Sequence, residues 1–333
     1  MIISKQGSNT YTDTKTRKEI TDKKILDYIT KLVIPPNYKD VIIFYNPTNT
    51  PKILYQGNDT KNRLQRIYSA EWNSQASRRK FCELLNFAEQ IEKITEKTRK
   101  EILSKTNTKN KIISMIIRLV MVCYFRIGNK RYQELYGSFG AINILKRHIV
   151  FIKDKKNKEY VHISFKGKKG VTNTCDVYDN LLIAELKNNL RDKEDDESVF
   201  LWDNMGEQTP VSAIEVNMWL KEFDPILTSK NFRTYESNIM LIILLRINKS
   251  PNLLSISARK KIILDALNII SAKLNNTANI LKKNYTQSGL ISMYINEPTE
   301  FMRYFENEKT PREAFIFYLI DYCKGYEAPK RKT

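Results

Sequence analysis

The chain reads as an α+β protein: a small β-rich N-terminal domain over residues 1–80, then a larger, mainly α-helical domain over residues 81–333 that carries a three-stranded antiparallel sheet. Three observations lead there. In the first 60 residues, short β-prone runs alternate with turn signals. From Phe81 onward the apolar pattern is mainly helical. Inside that helical part, three β-prone runs between Ile149 and Tyr178 form a meander.

A helix is expected near residues 22–32, and Pro35-Pro36 separates it from the strands. The strand candidates are Val41-Ile42-Ile43-Phe44-Tyr45 and Lys52-Ile53-Leu54-Tyr55, bounded by Asn46-Pro47 and Gly57-Asn58-Asp59. A basic, aromatic-studded stretch follows (Lys61, Arg63, Gln65, Arg66, Tyr68, Trp72, Arg78, Arg79, Lys80) and reads as a linker suited to phosphate and stacking contacts. Residues 81–104 are amphipathic and predict an exposed helix. Residues 112–123 are almost wholly apolar and predict a helix buried on most faces. Arg126 comes next, with Gly128 as a candidate helix stop. A guanidinium so placed needs an anionic partner, because an unpaired buried charge is costly. The meander comprises residues 149–152, 160–165 and 171–178, with Gly167-Lys168-Lys169-Gly170 turning between the last two. Helices are then expected over residues 180–190, after Pro210, and over 233–247, 257–274 and 312–323.

Composition narrows the function. Lys and Arg number 56 against 37 Asp and Glu, a formal charge of +19, which on a folded chain points to a polyanion, most simply nucleic acid. The longest apolar runs fall far short of the ~20 residues needed to span a membrane. The N-terminus has no signal-peptide pattern. The scattered Cys82, Cys123, Cys175 and Cys323 lack metal or redox spacing and suggest a reducing compartment. With only His148 and His162, a zinc site is disfavoured. No glycine-rich phosphate loop or paired metal carboxylates are visible, which removes support from ATP-driven and metal-dependent schemes. What remains is a set of cationic and tyrosyl positions: Arg126, Lys168, Lys230-Asn231-Phe232-Arg233-Thr234-Tyr235 and Tyr294. Two guanidiniums can clamp a phosphodiester, a lysine can protonate the departing 5′ oxygen, and a tyrosine can attack.

Phe125-Arg126-Ile127-Gly128 with Tyr132, Phe165-Lys166-Gly167-Lys168, and Lys230, Arg233, Thr234, Tyr235 and Asn238 stand in the order and spacing of the type IB DNA topoisomerases. Val33-Ile34-Pro35-Pro36 and Gly57-Asn58-Asp59 resemble the N-terminal domain of the compact poxvirus kind, insect poxviruses included. The resemblance covers most of the chain. It implies a C-shaped clamp on duplex DNA, a monomer, and relaxation of supercoils through a 3′-phosphotyrosyl intermediate, without ATP or metal. Arg126, Arg233, Lys168 and Lys230 would be catalytic, with Tyr294 as nucleophile. Gln65, Arg66, Tyr68, Tyr132 and Asn238 would contact DNA. Family members of this kind cleave at a pentapyrimidine of the (C/T)CCTT type, so a CCCTT-like site is implied. Arg66 stands where the better-known relatives have tyrosine. A poxviral origin would place the protein in the virion and host-cell cytoplasm.

One departure concerns the histidine that the family carries nine residues before its nucleophile, within Gly-His-Thr-Pro. Counting back from Tyr294 gives Tyr285, in Asn284-Tyr285-Thr286-Gln287. A phenol can donate a hydrogen bond but is uncharged at neutral pH; in another register Asn284 or Lys283 fills the place. Tyr285 itself is an alternative nucleophile, with Tyr304 a distant third. A tyrosine recombinase is the runner-up, although recombinases carry His-x-x-Arg where this chain has Lys230-Asn231-Phe232-Arg233. A non-catalytic DNA-packaging protein is supported by charge alone.

Overall fold

The computed structural model describes residues 1–7, 10–305 and 309–327; the basic tail Pro329-Lys330-Arg331-Lys332 lies outside them. The fold is α+β, in two compact units, Met1–Lys80 and Phe81–Glu327.

The first unit contains β1 (Ile2–Gln6), β2 (Thr10–Asp13), α1 (Lys23–Thr30), β3 (Lys39–Phe44), β4 (Ile53–Asn58) and β5 (Leu64–Tyr68). The strands form one antiparallel sheet in the order β2-β1-β3-β4-β5. Alternation along β3 turns Val41 and Ile43 inward, where they meet Ile3, Tyr55 and the i, i+4 pair Ile25 and Ile29 of α1. Asp22 starts α1 by accepting from Lys24 N and Ile25 N. The stretch read as a basic linker is instead edge strand β5 followed by the start of α2 (Ala70–Ile102). Its charges do not prevent pairing, because an edge strand keeps one side in water; Gln56↔Arg66 and Gly57↔Gln65 lie directly opposite.

In the second unit, α3 (Lys109–Cys123) is capped by Thr108 and buries Ile112, Met115, Ile116 and Leu119 completely. Each such side chain contributes roughly 1.5–3 kcal/mol of transfer free energy. The helix ends before Gly128: Tyr124 takes the left-handed conformation (φ 55°) and its N–H bonds Val120 O. Then come α4 (Lys130–Tyr136), the meander β6 (Ile149–Lys153), β7 (Glu159–Lys166) and β8 (Thr172–Val177), and α5 (Asn180–Leu190). A short hairpin of β9 (Leu201–Asn204) and β10 (Glu207–Pro210) precedes α6 (Ala213–Lys221), α7 (Ser229–Leu245) and α8 (Ile256–Lys273). The chain continues through α9 (Ala278–Asn284), α10 (Ser288–Asn296), α11 (Pro298–Phe305) and α12 (Pro311–Tyr322).

The scattered cysteines are two disulfides, Cys82–Cys323 and Cys123–Cys175, bridging 241 and 52 residues of sequence. The expectation of four reduced thiols therefore does not hold in this structure. The fold brings together positions whose sequence spacing carries no pairing signal.

Candidate active site

The segment after α3 is fixed from both sides. Phe125 is fully buried and meets the Phe165 ring edge-on at 4.7 Å. Arg126 O and Ile127 O accept from Ala141 N and Ile142 N, each at 2.9 Å. Gly128 (φ +90°) and Gly140 lie back to back, and a Cβ on Gly140 would stand 2.5–2.6 Å from the backbone of Gly128 and Arg126 O. This bracing aims the half-buried Arg126 side chain, whose Nη2 donates to Asn276 Oδ1 at 2.5 Å.

The second guanidinium comes from α7. Asn231 Oδ1 holds the start of that helix by accepting from Thr228 N and Oγ1. Arg233, two residues on, is only 2% exposed, and its Nη2 donates to Leu274 O at 2.9 Å. Both arginines thus reach one short turn, Leu274-Asn275-Asn276, between α8 and α9. Asn275 sits there at φ 51°, a conformation that Asn tolerates better than most residues. Four buried donor atoms at this place lack a well-aligned acceptor among the described residues: Arg233 Nε, Arg233 Nη1, Asn275 Nδ2 and Asn276 Nδ2. Burial lowers the Arg233 pKa to about 10; Tyr285 opposes the shift and Arg126 adds to it. Arg233 therefore stays charged at neutral pH, and two cations stand close together with no carboxylate paired to either among the described residues.

Tyr285 closes α9 at the same spot. Its ring centre lies 5.1 Å from Arg233 Cζ and 5.8 Å from Lys230 Nζ. Burial pushes the phenol pKa up, but Arg233, Arg126 and Lys230 outweigh it, so the net shift is downward. Tyr294, expected to attack, is elsewhere. It is fully buried on α10, edge-on to Phe301 at 5.0 Å, and its hydroxyl has no hydrogen-bond partner among the described residues. Burial raises its pKa, and the charge opposing that is Arg259, whose guanidinium is committed to the carbonyls of Pro251, Leu254 and Ile295. The sequence reading put both tyrosines at the scissile phosphate, Tyr285 in the histidine's place and Tyr294 as the attacking group. Tyr285 stands among the guanidiniums, whereas Tyr294 packs in the core.

Asn238 is also displaced from its expected role as a DNA contact. It is fully buried; its Nδ2 donates to Thr234 O (2.7 Å) and Tyr285 O (2.9 Å), and its Oδ1 accepts from Gln287 N (2.8 Å). Both amide hydrogens and one lone pair of the oxygen are thus engaged within the fold. Lys168 opens the turn of residues 168–170 between β7 and β8 and is exposed. Tyr132 is 54% exposed on α4, tilted against Tyr136. Gln65, Arg66 and Tyr68 lie on β5 in the first unit. His148 accepts from Leu145 N through Nδ1 (3.1 Å), and burial followed by the charge of Arg147 lowers its pKa to about 4. It is a neutral structural histidine.

Asn276 was missed, though a signal for it exists. Nine residues before Tyr285 is Asn276, within Asn275-Asn276-Thr277-Ala278. This segment keeps the threonine of Gly-His-Thr-Pro, and it puts a left-handed residue where that pattern has glycine.

Two comparisons bear on this arrangement. A family model described as "Eukaryotic DNA topoisomerase I, catalytic core" matches residues 69–310. A protein of Acanthamoeba polyphaga mimivirus, "DNA topoisomerase 1B", is 26% identical over 316 residues, covering 93% of this chain and 89% of the relative.

Proposed function

This chain belongs to the family of the eukaryotic DNA topoisomerase I catalytic core, and from that premise we propose that it cuts and reseals one strand of duplex DNA with Tyr285 as the attacking group. DNA topoisomerase activity follows from the family; the residue roles are this proposal. The observation that carries it is the buried set of donors between Arg126, Arg233 and Asn276, next to a tyrosine whose ionisation the two arginines favour. Two adjacent guanidiniums repel each other, and burying them is costly. A phosphodiester resolves that cost, since its non-bridging oxygens accept from both forks and gain charge in the transition state.

In the proposed reaction the Tyr285 proton passes to solvent, the phenolate oxygen bonds to the scissile phosphorus, and the bond from phosphorus to the 5′ oxygen breaks. The 5′ oxygen takes a proton from Lys168 at the hairpin tip. Lys230 and Arg233 favour the phenolate, and Asn276 Nδ2 supplies a neutral donor in the histidine's place. The 3′-phosphotyrosyl link retains the bond energy, so religation needs no ATP. The cations required are side chains, so the scheme uses no metal. Asn238 holds the backbone on both sides of Thr286.

The test is relaxation of supercoiled plasmid in EDTA without ATP, followed by mapping of the DNA-linked peptide. The expected adduct is on the peptide containing Tyr285, and Tyr285→Phe should abolish it. An adduct on Tyr294 would overturn the assignment. Synapsis and exchange between two sites would favour a recombinase instead.

A further inference from the structure

Between α9 and α10 lie only Tyr285, Thr286 and Gln287, and all three are buried. Thr286 Oγ1 turns back to Lys282 O at 3.0 Å, and Gln287 is extended (φ −81°, ψ 119°) where it starts α10. Gln287 Oε1 accepts from Leu290 N at 2.8 Å, so this residue caps the helix. Glutamine is not among the preferred caps, which are the shorter Ser, Thr, Asp and Asn. Here the longer side chain is held from α12, where it hydrogen-bonds the Tyr318 hydroxyl. Tyr318 is itself buried and stacks on Phe315 (6.5 Å, 12°) and on Tyr322 (6.0 Å, 21°). Gly289 makes the room: a Cβ there would stand 2.6 Å from the Tyr318 hydroxyl and 2.8 Å from Gln287 Oε1. The Gln287 N–H donates to Asn238 Oδ1, and Asn238 Nδ2 donates to Tyr285 O. A chain of bonds thus runs from the Tyr318 hydroxyl to the peptide unit of Tyr285.

We infer that Gln287, held by Tyr318, is a positioning residue for the reaction: it fixes the peptide after Tyr285 and so sets how the phenol meets the phosphate. The inference rests on the reading that Tyr285 attacks. Gln287 acts through the backbone. Without its side chain, Leu290 N becomes a buried donor with no acceptor, and residue 287 is free to turn its own N–H away from Asn238. The segment then keeps only the Asn238 bond to Tyr285 O. Attack needs the phenol oxygen in line with the departing 5′ oxygen, and a misplacement of about 1 Å can cost roughly 10²-fold in rate. The same loosening lets the ring drift from Arg233 and Lys230, whose charges favour the phenolate. Religation runs through the same geometry in reverse, so it depends on the cap as much as cleavage does.

The experiment is single-turnover cleavage of saturating labelled duplex by the full-length protein, followed across pH, after the wild-type adduct has been mapped. Non-covalent affinity is measured in the Tyr285→Phe background, and each variant is melted. Gln287→Ala should slow cleavage by about 10- to 100-fold at unchanged affinity, slow religation equally, and move the pH midpoint of cleavage upward. Gln287→Ser, a preferred cap, should recover most of the rate. Tyr318→Phe keeps the ring and its stacking but deletes the hydroxyl; it should slow cleavage several-fold, and it carries the test if Gln287→Ala fails to fold. Wild-type rates in both variants overturn the inference. So does a loss of rate that only follows the melting temperature and leaves the pH midpoint unmoved, the mark of a purely structural cap. An adduct on Tyr294 overturns the reading beneath and the inference with it, whereas an adduct on Tyr285 with cap-independent cleavage overturns the inference alone.

Discussion

Replacing Tyr294 by Phe separates the two candidate nucleophiles. The Tyr294 side chain is fully buried and its hydroxyl meets no partner among the described residues. An unsatisfied buried hydroxyl costs about 1–3 kcal/mol relative to water. Phe keeps the ring and its edge-on contact with Phe301 while deleting the oxygen. Tyr294→Phe should therefore raise stability by about 1 kcal/mol, or roughly 2–4 °C in melting temperature for a unit of this size. Single-turnover cleavage of a labelled duplex should stay within a few-fold of wild type, and the covalent adduct should persist. The paired assays are a thermal melt and a rapid-quench time course. Abolished cleavage with an unchanged melt would refute the reasoning, because it would make Tyr294 the reacting group and require that it leave its core position.

Asn276→Asp should slow cleavage by close to 10³-fold: an added charge ~4 Å from a phosphate oxygen costs about 4 kcal/mol at an effective dielectric of 20. Its melt should not fall, since the carboxylate can pair with Arg126. Asn276→His, restoring the family residue, should retain cleavage. The cationic neighbours lower the Tyr285 pKa, so the phenolate fraction rises with pH through a midpoint below the ordinary phenol value near 10. Removing a positive charge moves that midpoint upward, so Lys230→Ala should shift the pH–rate profile of cleavage to higher pH. Gly140→Ala should cost about 1–3 kcal/mol by overpacking, because its Cβ would meet Gly128 and Arg126 O. Cleavage should fall with it, as the Arg126 segment loses its brace; a melt and a cleavage assay check both.

Much of this molecule is legible along the chain. The β6-β7-β8 meander, α5 and the long helices follow from local periodicity and turn chemistry, which need only neighbouring residues. Strands β1, β2 and β5 were not legible, because their polar alternation is weak and their pairing partners lie elsewhere in the sequence. Charge read as a linker proved compatible with an edge strand. The family likeness was likewise readable, since short motifs carry it, and those motifs hold the Arg126, Arg233 and Lys230 that the fold gathers around Tyr285.

The choice between two tyrosines nine residues apart was not readable, nor was the burial of Asn238 or the pairing of four cysteines. Each depends on separations through space, set by how α7, α8 and α9 pack. Tyr285 owes its lowered pKa to Arg126, Lys230 and Arg233, which lie 159, 55 and 52 positions before it. Composition and motif order pointed to DNA and to a set of cations with a tyrosine. Only the tertiary structure shows which tyrosine stands beside those cations, because electrostatic influence falls with distance and not with sequence separation.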